Sequence, residues 1–255
     1  MGVVNVTPDS FSDGGRFLDP ARAIEHALRL REEGADFIDV GGESTRPGAV
    51  PVAAAQEIER VIPVVEALAR EGVAVSVDTM KPEVMSAAIA AGCAVVNDVN
   101  AFRAPGAIEA VARSRAGVVV MHMQGTPATM QKEPRYTDVV AEVSAFLLER
   151  AAALEAAGIA RARIALDPGF GFGKKLEHNL ALFRALPQLA ALGYPILAGV
   201  SRKRMIGDLT GRKLEERAAG SVAAALLAVQ NGASVVRVHD VKETVDAINI
   251  WLALR

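Results

Sequence analysis

The stretch Val73-Ala-Val-Ser-Val-Asp-Thr-Met-Lys-Pro-Glu-Val-Met-Ser-Ala-Ala-Ile-Ala-Ala-Gly-Cys-Ala-Val-Val-Asn-Asp98 decides the fold. It opens on a short Val-rich run, Val73 to Val77, and turns polar at Asp78-Thr79. Pro82 then begins a run of helical length that Gly92 stops. Proline suits a first helical turn because its missing N–H would have no partner there. Glycine suits the residue past the end because it accepts a positive φ. A second Val run, Ala94 to Val96, again ends in polar residues, Asn97-Asp98. The reading is strand, loop, helix, strand. Parallel strands joined by helices are covered on both faces, so such runs are nearly all apolar rather than alternating.

The same unit recurs in both directions. Further apolar runs lie at Val3 to Val6, Phe37 to Val40, Val118 to Met121, Ile164 to Leu166, Ile196 to Ala198 and Val235 to Val238. Helical stretches rich in Ala, Leu, Glu and Arg separate them: Pro20 to Glu33, Val52 to Glu71, Pro105 to Arg113, Asp138 to Ala157, Leu176 to Leu192, Leu214 to Asn231 and Lys242 to Leu254. Eight units of about 32 residues consume all 255, with no composition break or linker. The expected class is α/β, a single (β/α)8 TIM barrel spanning 1–255 as one domain. A doubly wound open sheet is the alternative.

Composition narrows the function. There are 28 basic and 30 acidic residues, a formal net charge of -2, so a broad basic field for nucleic acid is absent. Aromatics are 4%, too few for base-stacking platforms. The single cysteine, Cys93, excludes an internal disulfide framework and a cysteine-cluster metal site, and reads as a buried small apolar residue. No apolar run approaches a membrane span of about 20 residues, and no signal-peptide pattern opens the chain. A cytoplasmic protein is expected, without nucleic-acid or membrane partners.

In a barrel the reactive groups sit where the strands end, and here every run ends in polar residues. Asn5 and a loop running to Gly15 with Phe11 at its centre follow the first run, and Gly41-Gly-Glu-Ser-Thr-Arg-Pro-Gly48 the second. Asp78-Thr79, Asn97-Asp98, Met121-His-Met-Gln-Gly125 and Asp167-Pro-Gly-Phe-Gly-Phe-Gly-Lys174 follow next. Gly199-Val-Ser-Arg-Lys203 and then Arg237, His239 and Asp240 complete the set. Each alone has a plainer reading. Asp78 and Asp167 would cap the following helices, and Asn97 would sit in a turn. Arg46 and Arg237 would be solvated or paired with Glu43 and Asp240, and His122 would pack beside the site. The glycine-rich run 169–173 has neither dinucleotide nor Walker spacing. Eight polar strand ends together resist that explanation.

Two chemical sets emerge. Arg46, Lys203, Arg237 and His239 suit a phosphate or pyrophosphate. Asp78, Asn97 and Asp167 suit the N–H edge of a polar heterocycle. Asn5 offers an oxygen to a Mg2+ travelling with the pyrophosphate. The two long, glycine-rich first loops are candidate lids.

These residues resemble the dihydropteroate synthase family of bacterial folate synthesis along nearly the whole chain. The resemblance rests on Met1–Gly15, Gly41–Gly48, Ser76–Thr79, Val96–Val99, Met121–Gly125, Asp167–Lys174, Ser201–Lys203 and Arg237–His239. It implies condensation of 6-hydroxymethyl-7,8-dihydropterin pyrophosphate with 4-aminobenzoate, giving 7,8-dihydropteroate and pyrophosphate by an SN1-like route that sulfonamides block. It further implies Asp78, Asp167 and Lys203 as catalytic, and Asp78, Asn97, Asp167, Lys203, Met121 and Phe172 around the pterin. Asn5, Thr45, Arg46, Arg237 and His239 would hold the pyrophosphate, with Asn5 toward Mg2+. Thr45, Pro47, Phe172 and Ser201 would line the aminobenzoate pocket. A homodimer is expected, through the apolar C-terminal helices with Trp251, for which a core position is the other reading.

Two departures stand out. Relatives usually carry a segment before the first motif, often a small hairpin under the barrel. Here Met1 directly precedes the first run, so that cover is expected to be missing, with the first strand frayed or the chain trimmed or mis-started. Arg204 stands where many relatives have a small residue. Two alternatives share the pterin set: a methyltransferase barrel serving a corrinoid protein, and a pterin-binding paralogue without turnover. The Asn5–Gly15 loop and the strand-end cations argue against both.

Overall fold

The computed structural model describes residues 1–7, 20–45 and 50–255. Its strands are β1 (Gly2–Asn5), β2 (Ile38–Gly41), β3 (Val75–Asp78), β4 (Val95–Asp98), β5 (Gly117–Met121), β6 (Ile164–Asp167), β7 (Leu197–Ala198) and β8 (Val235–Val236). β1 to β6 pair in chain order, and β7 pairs with β8, every pairing being parallel. Two parallel bridges, Leu166 with Ile196 and Gly2 with Val238, join the two sheets at both seams. The ladder therefore closes on itself as a (β/α)8 TIM barrel, and the open-sheet alternative falls. β1 is not frayed: Val3 donates to the Val238 carbonyl at 3.1 Å on one edge, and β2 pairs along the other.

The helices are α1 (Pro20–Glu32), α2 (Ala54–Arg70), α3 (Pro82–Ala90), α4 (Ala107–Ala112), α5 (Val139–Ala156), α6 (Leu176–Arg184), α7 (Leu186–Ala190), α8 (Arg204–Thr210), α9 (Ala218–Gln230) and α10 (Val241–Leu254). Two stretches differ from expectation. The helix expected from Leu176 to Leu192 breaks at Ala185, because Pro187 lacks the N–H that a continuing helix needs. The one expected from Leu214 opens as a 3-10 turn, Leu214–Glu216, and becomes α-helical only at Ala218. The short α8 was not expected at all; it carries Arg204, whose exposed guanidinium pairs with Asp208 one turn on.

Side chains alternate along a strand, so each strand has an outward and an inward row. The outward row (Ile38, Val40, Val75, Val77, Val118, Val120, Ile164, Leu166) packs with Leu30, Val61, Leu68, Met85, Leu147, Leu154 and Leu182 of the helices in one cluster. Each such burial contributes about 1.5–3 kcal/mol, so this annulus carries the stability. The inward row mixes apolar Val3, Val119 and Met121 with small or polar Asn5, Asp39, Gly41, Ser76, Asp78, Asn97 and Asp167. Register sets Asn5 level with Gly41, Gly41 with Asp78, Asp78 with Asn97, and Met121 with Asp167. The barrel thus gives much of its interior at the strand ends to polar side chains.

Candidate active site

Arg237 organises the mouth. It follows β8, whose neighbour is β1, yet its Nε donates to Asp39 on β2 at 2.6 Å and its Nη2 to Asp78 on β3 at 3.1 Å. The guanidinium therefore crosses the interior. Asn97 donates to the same Asp39 oxygen at 3.3 Å. The expected Arg237–Asp240 pairing is not found; Asp240 takes Arg202 instead. Glu43 pairs with Lys81, and its expected partner Arg46 lies outside the described residues. Asp39 was missed because it sat inside an apolar run, although an acid within a strand buried on both faces is itself a signal.

Two carboxylates share one cation here, so a negative charge remains in a low-dielectric interior. Burial first, then Asp39, raises the Asp78 pKa to about 7 against the pull of Arg237. Burial opposes the charge on Arg237, but Asp39 and Asp78 outweigh it and raise its pKa. Asp39 Oδ1, Asn97 Oδ1 and Ser76 Oγ are buried without a protein partner. An unpaired buried acceptor costs roughly 1–3 kcal/mol, so this wall is built to meet N–H donors from a ligand.

Asp78 and Asp167 do not cap helices. Asp78 is held by Arg237, and Asp167 accepts the Gly169 N–H at 2.7 Å. The local turn role after β4 falls to Asp98, which accepts from the Asn100 and Phe102 amides at 2.7 Å each. Burial raises the Asp167 pKa against the attraction of Lys203. Lys203 donates to the Phe170 carbonyl and lies 4.5 Å from the centre of the Phe172 ring. Burial lowers its pKa to about 8, with Asp167 opposing. Gly199 keeps the space beside these cations open: a Cβ there would lie 3.8 Å from Lys203 Nζ and 3.9 Å from Arg237 Cβ. Met121, Met123, Met130 and Val99, with Phe172 against them, form a small apolar shelf.

The loop after β6 is pinned by Lys174. Its Nζ meets His122 Nδ1 at 2.9 Å, the Gly169 carbonyl at 2.9 Å and the Phe172 carbonyl at 3.0 Å. The His122 carbonyl lies a little farther off, at 3.3 Å, so four groups surround Nζ, and burial lowers the Lys174 pKa to about 7. Burial, then Lys174, lowers the His122 pKa to about 3, which keeps the ring neutral. His122 also packs edge-on to Phe146, with centroids 5.0 Å apart. Cys93 is buried, and burial raises its thiol to about 12, as expected of an inert residue.

Ser201 and His239 pair. The His239 amide donates to Ser201 Oγ at 3.2 Å, and the hydroxyl lies 3.0 Å from His239 Nδ1. Hydroxyl and ring share one hydrogen bond, whose donor is set by the imidazole tautomer. Burial, then Arg237, lowers the His239 pKa to about 4. His239 is thus neutral in the free protein, whereas the expectation set it among the cations.

Asn5 closes β1 on the rung of Gly41 and Asp78. Among the described residues no three His, Cys, Asp or Glu side chains gather as a metal cage. One amide oxygen fits a cation that takes its other ligands from substrate phosphates and water, as Mg2+ does. Thr45 is half-buried at the base of the loop after β2. Arg46, Pro47 and the Phe11 loop lie outside the described residues.

A closed parallel barrel with carboxylates, orphaned acceptors and cations converging at one mouth defines a barrel enzyme for a polar heterocycle. The family model described as "Pterin binding enzyme" matches residues 1–239. A dihydropteroate synthase of Neisseria meningitidis serogroup C is 54% identical over 259 residues, covering 100% of this chain and 92% of that one. The Xanthomonas albilineans dihydropteroate synthase solved with 4-aminobenzoic acid superposes at a TM-score of 0.94 with 58% identity, over 100% of this chain and 92% of that one. The Yersinia pestis enzyme in a sulfonamide complex superposes at 0.96 with 48% identity, over 100% of this chain and 93% of that one. The chain belongs to the dihydropteroate synthase family of transferases.

Proposed function

We propose that this chain condenses 6-hydroxymethyl-7,8-dihydropterin pyrophosphate with 4-aminobenzoate to 7,8-dihydropteroate and pyrophosphate. The observation that carries this reading is the Arg237–Asp39–Asp78–Asn97 hub with its unpartnered acceptors. Asp78, Asn97 and Asp167 receive the N–H edge of the pterin, Lys203 its acceptors, and Met121 and Phe172 its faces. Thr45, Pro47, Phe172 and Ser201 line the aminobenzoate end, where sulfonamides compete. Asn5, Thr45, Arg46, Arg237 and His239 hold the pyrophosphate. Mg2+, when bound with it, neutralises part of its charge.

The proposed route is dissociative. The C–O bond to pyrophosphate breaks first, and the electron pair leaves with the phosphate oxygen. The remaining pterin methylene cation lies beside Asp78 and Asp167, whose ionised forms lower its energy in a site of low dielectric. The neutral arylamine attacks through its lone pair and then sheds a proton. No strong general base is required, which accords with the low basicity that burial gives His122 and His239. The same reading takes 1–255 as one cytoplasmic domain and pairs two copies through α10, which exposes Ile250, Leu252 and Leu254. Among the described residues, no helix is long and apolar enough to cross a membrane.

Pyrophosphate release from the two substrates, with and without Mg2+, tests the assignment. Metal-stimulated release that needs 4-aminobenzoate is expected. Tight pterin binding without release would favour the paralogue, and methyl transfer to a corrinoid would favour the methyltransferase. A second expectation concerns His239. An adjacent pyrophosphate raises the pKa of a ring that titrates near 4 when free, so at pH 6 binding should take up a proton. Calorimetry of pyrophosphate binding in buffers of differing ionisation enthalpy reads this directly. The uptake should vanish in His239→Gln, and its absence in the unmodified protein would overturn the role.

A further inference from the structure

A second ionic cluster lies beside the hub and has no part in the chemistry above. Lys81 stands between β3 and α3, shortly after Asp78. Its Nζ donates to Glu43, in the loop after β2, and to Glu57 of α2 at 2.5 Å. Glu57 is fully buried, and the Lys81 side chain is 22% exposed, so solvent screens the group weakly. Burial opposes the Lys81 charge, but the bonds to Glu43 and Glu57 outweigh it and raise its pKa.

The cluster meets the loop at both of its ends. The Glu43 oxygen that takes Lys81 also accepts the Val52 amide at 3.1 Å. Glu43 and Val52 flank the segment 44–51, so one oxygen gathers its entry and its exit. Arg60, one turn along α2 from Glu57, donates to the Gly42 carbonyl at 2.9 Å. A Cβ on Gly42 would come 2.7 Å from Val61 and 2.9 Å from Glu57, so the loop entrance lies flat on α2. Fixing both ends of a segment reduces the conformations open to the residues between them. A binding group on such a segment loses less entropy when its ligand arrives.

We propose that Glu43, Lys81 and Glu57 form a positioning clasp that sets Thr45 for the second substrate, independently of the hub that receives the first. The proposal rests on the assignment of Thr45 to aminobenzoate given above. Asp78 is oriented by Arg237 from across the barrel, and Glu57 is the smallest of the charges that act on it, so loosening the clasp disturbs the pterin wall less than it disturbs Thr45. The two substrates should therefore respond differently.

Steady-state kinetics on the full chain, with each substrate varied in turn, test this. Lys81→Met should raise the KM for 4-aminobenzoate about tenfold, with kcat and the pterin KM changing less than about threefold. Lys81→Arg should restore most of the loss. Glu43→Gln keeps an acceptor for Val52 but removes the charge pairing, and should fall between Lys81→Met and wild type. Glu43→Ala removes both and should match or exceed Lys81→Met. A cluster that served stability alone would lower the melting temperature and the amount of active protein, scaling kcat and sparing both KM values. That outcome overturns the clasp, as does a parallel rise in both KM values. Wild-type protein that forms no dihydropteroate overturns the functional reading and the clasp together; an active wild type with an unmoved Lys81→Met overturns the clasp alone.

Discussion

Asp78→Asn should lose turnover by about 10²–10³-fold and yet melt at a higher temperature than the wild type at pH 8. Both effects follow from one feature. Asp39 and Asp78 share the single guanidinium of Arg237, and burial together with Asp39 raises the Asp78 pKa to about 7. An acid whose folded pKa lies above its unfolded value binds its proton more tightly when folded. Its contribution to stability therefore falls as pH rises from about 4 through 7. At pH 5 the folded carboxyl is mostly protonated while the unfolded one has largely ionised, so the variant should lead only modestly there. At pH 8 the wild type carries an ionised carboxylate that the amide lacks, and the variant should gain on the order of 1–2 kcal/mol. At this chain length that is several degrees. Melting curves at the two pH values decide it: a variant less stable at pH 8 than the wild type would show that Arg237 more than compensates both acids. The charge that lowers the energy of a pterin cation is the same charge that the empty barrel holds at a cost.

Removing the cation should do the reverse. Arg237→Met leaves Asp39, which is fully buried, and Asp78 without their partner. Breaking a buried pair in this way costs about 3–5 kcal/mol, or roughly 10 °C at this size. The double variant Asp39→Asn with Arg237→Met removes a negative charge along with the positive one, and should recover much of the stability while remaining inactive. Differential scanning calorimetry distinguishes the two. A single variant that melts with the wild type, or a double variant no more stable than the single, would mean that the hub is solvated rather than electrostatically closed. Recovery of the fold without recovery of turnover separates what Arg237 does for the barrel from what it does for the substrate.

The alternation of Val runs and helical stretches carried the barrel, because a parallel strand covered on both faces has few other compositions open to it. Strand ends were less legible. Reading each strand to its last apolar residue ran one residue past Asn5 and stopped short of Asp78, Asp98 and Asp167, which are the final residues of their strands. Those residues belong to the ladder through their backbones and to the site through their side chains, and hydropathy sees only the latter. The two chemical sets were visible as strand-end residues. Their connections were not: pairing Arg237 with Asp39 and Asp78 requires knowing that the eighth strand closes beside the first. Asp39, Lys174 and the Lys81 clasp were passed over for a similar reason. An acid inside an apolar run and lysines within motifs already explained do not announce that they are buried.

The short strands bear on how stiffly such a site is held. β7 and β8 share a two-residue ladder with each other, and one bridge at each seam joins them to the rest, whereas β4 and β5 align over four positions. Fewer cross-strand hydrogen bonds make this quarter of the wall the less costly part to distort. Ser201, Lys203, Arg237 and His239 all follow these two strands, while Asp39, Asp78 and Asn97 stand on the long-laddered side. The barrel is thus mechanically uneven across its own mouth. Ser201, Arg237 and His239 stand on the part of the wall that is easier to distort, and Asp39, Asp78 and Asn97 on the stiffer part.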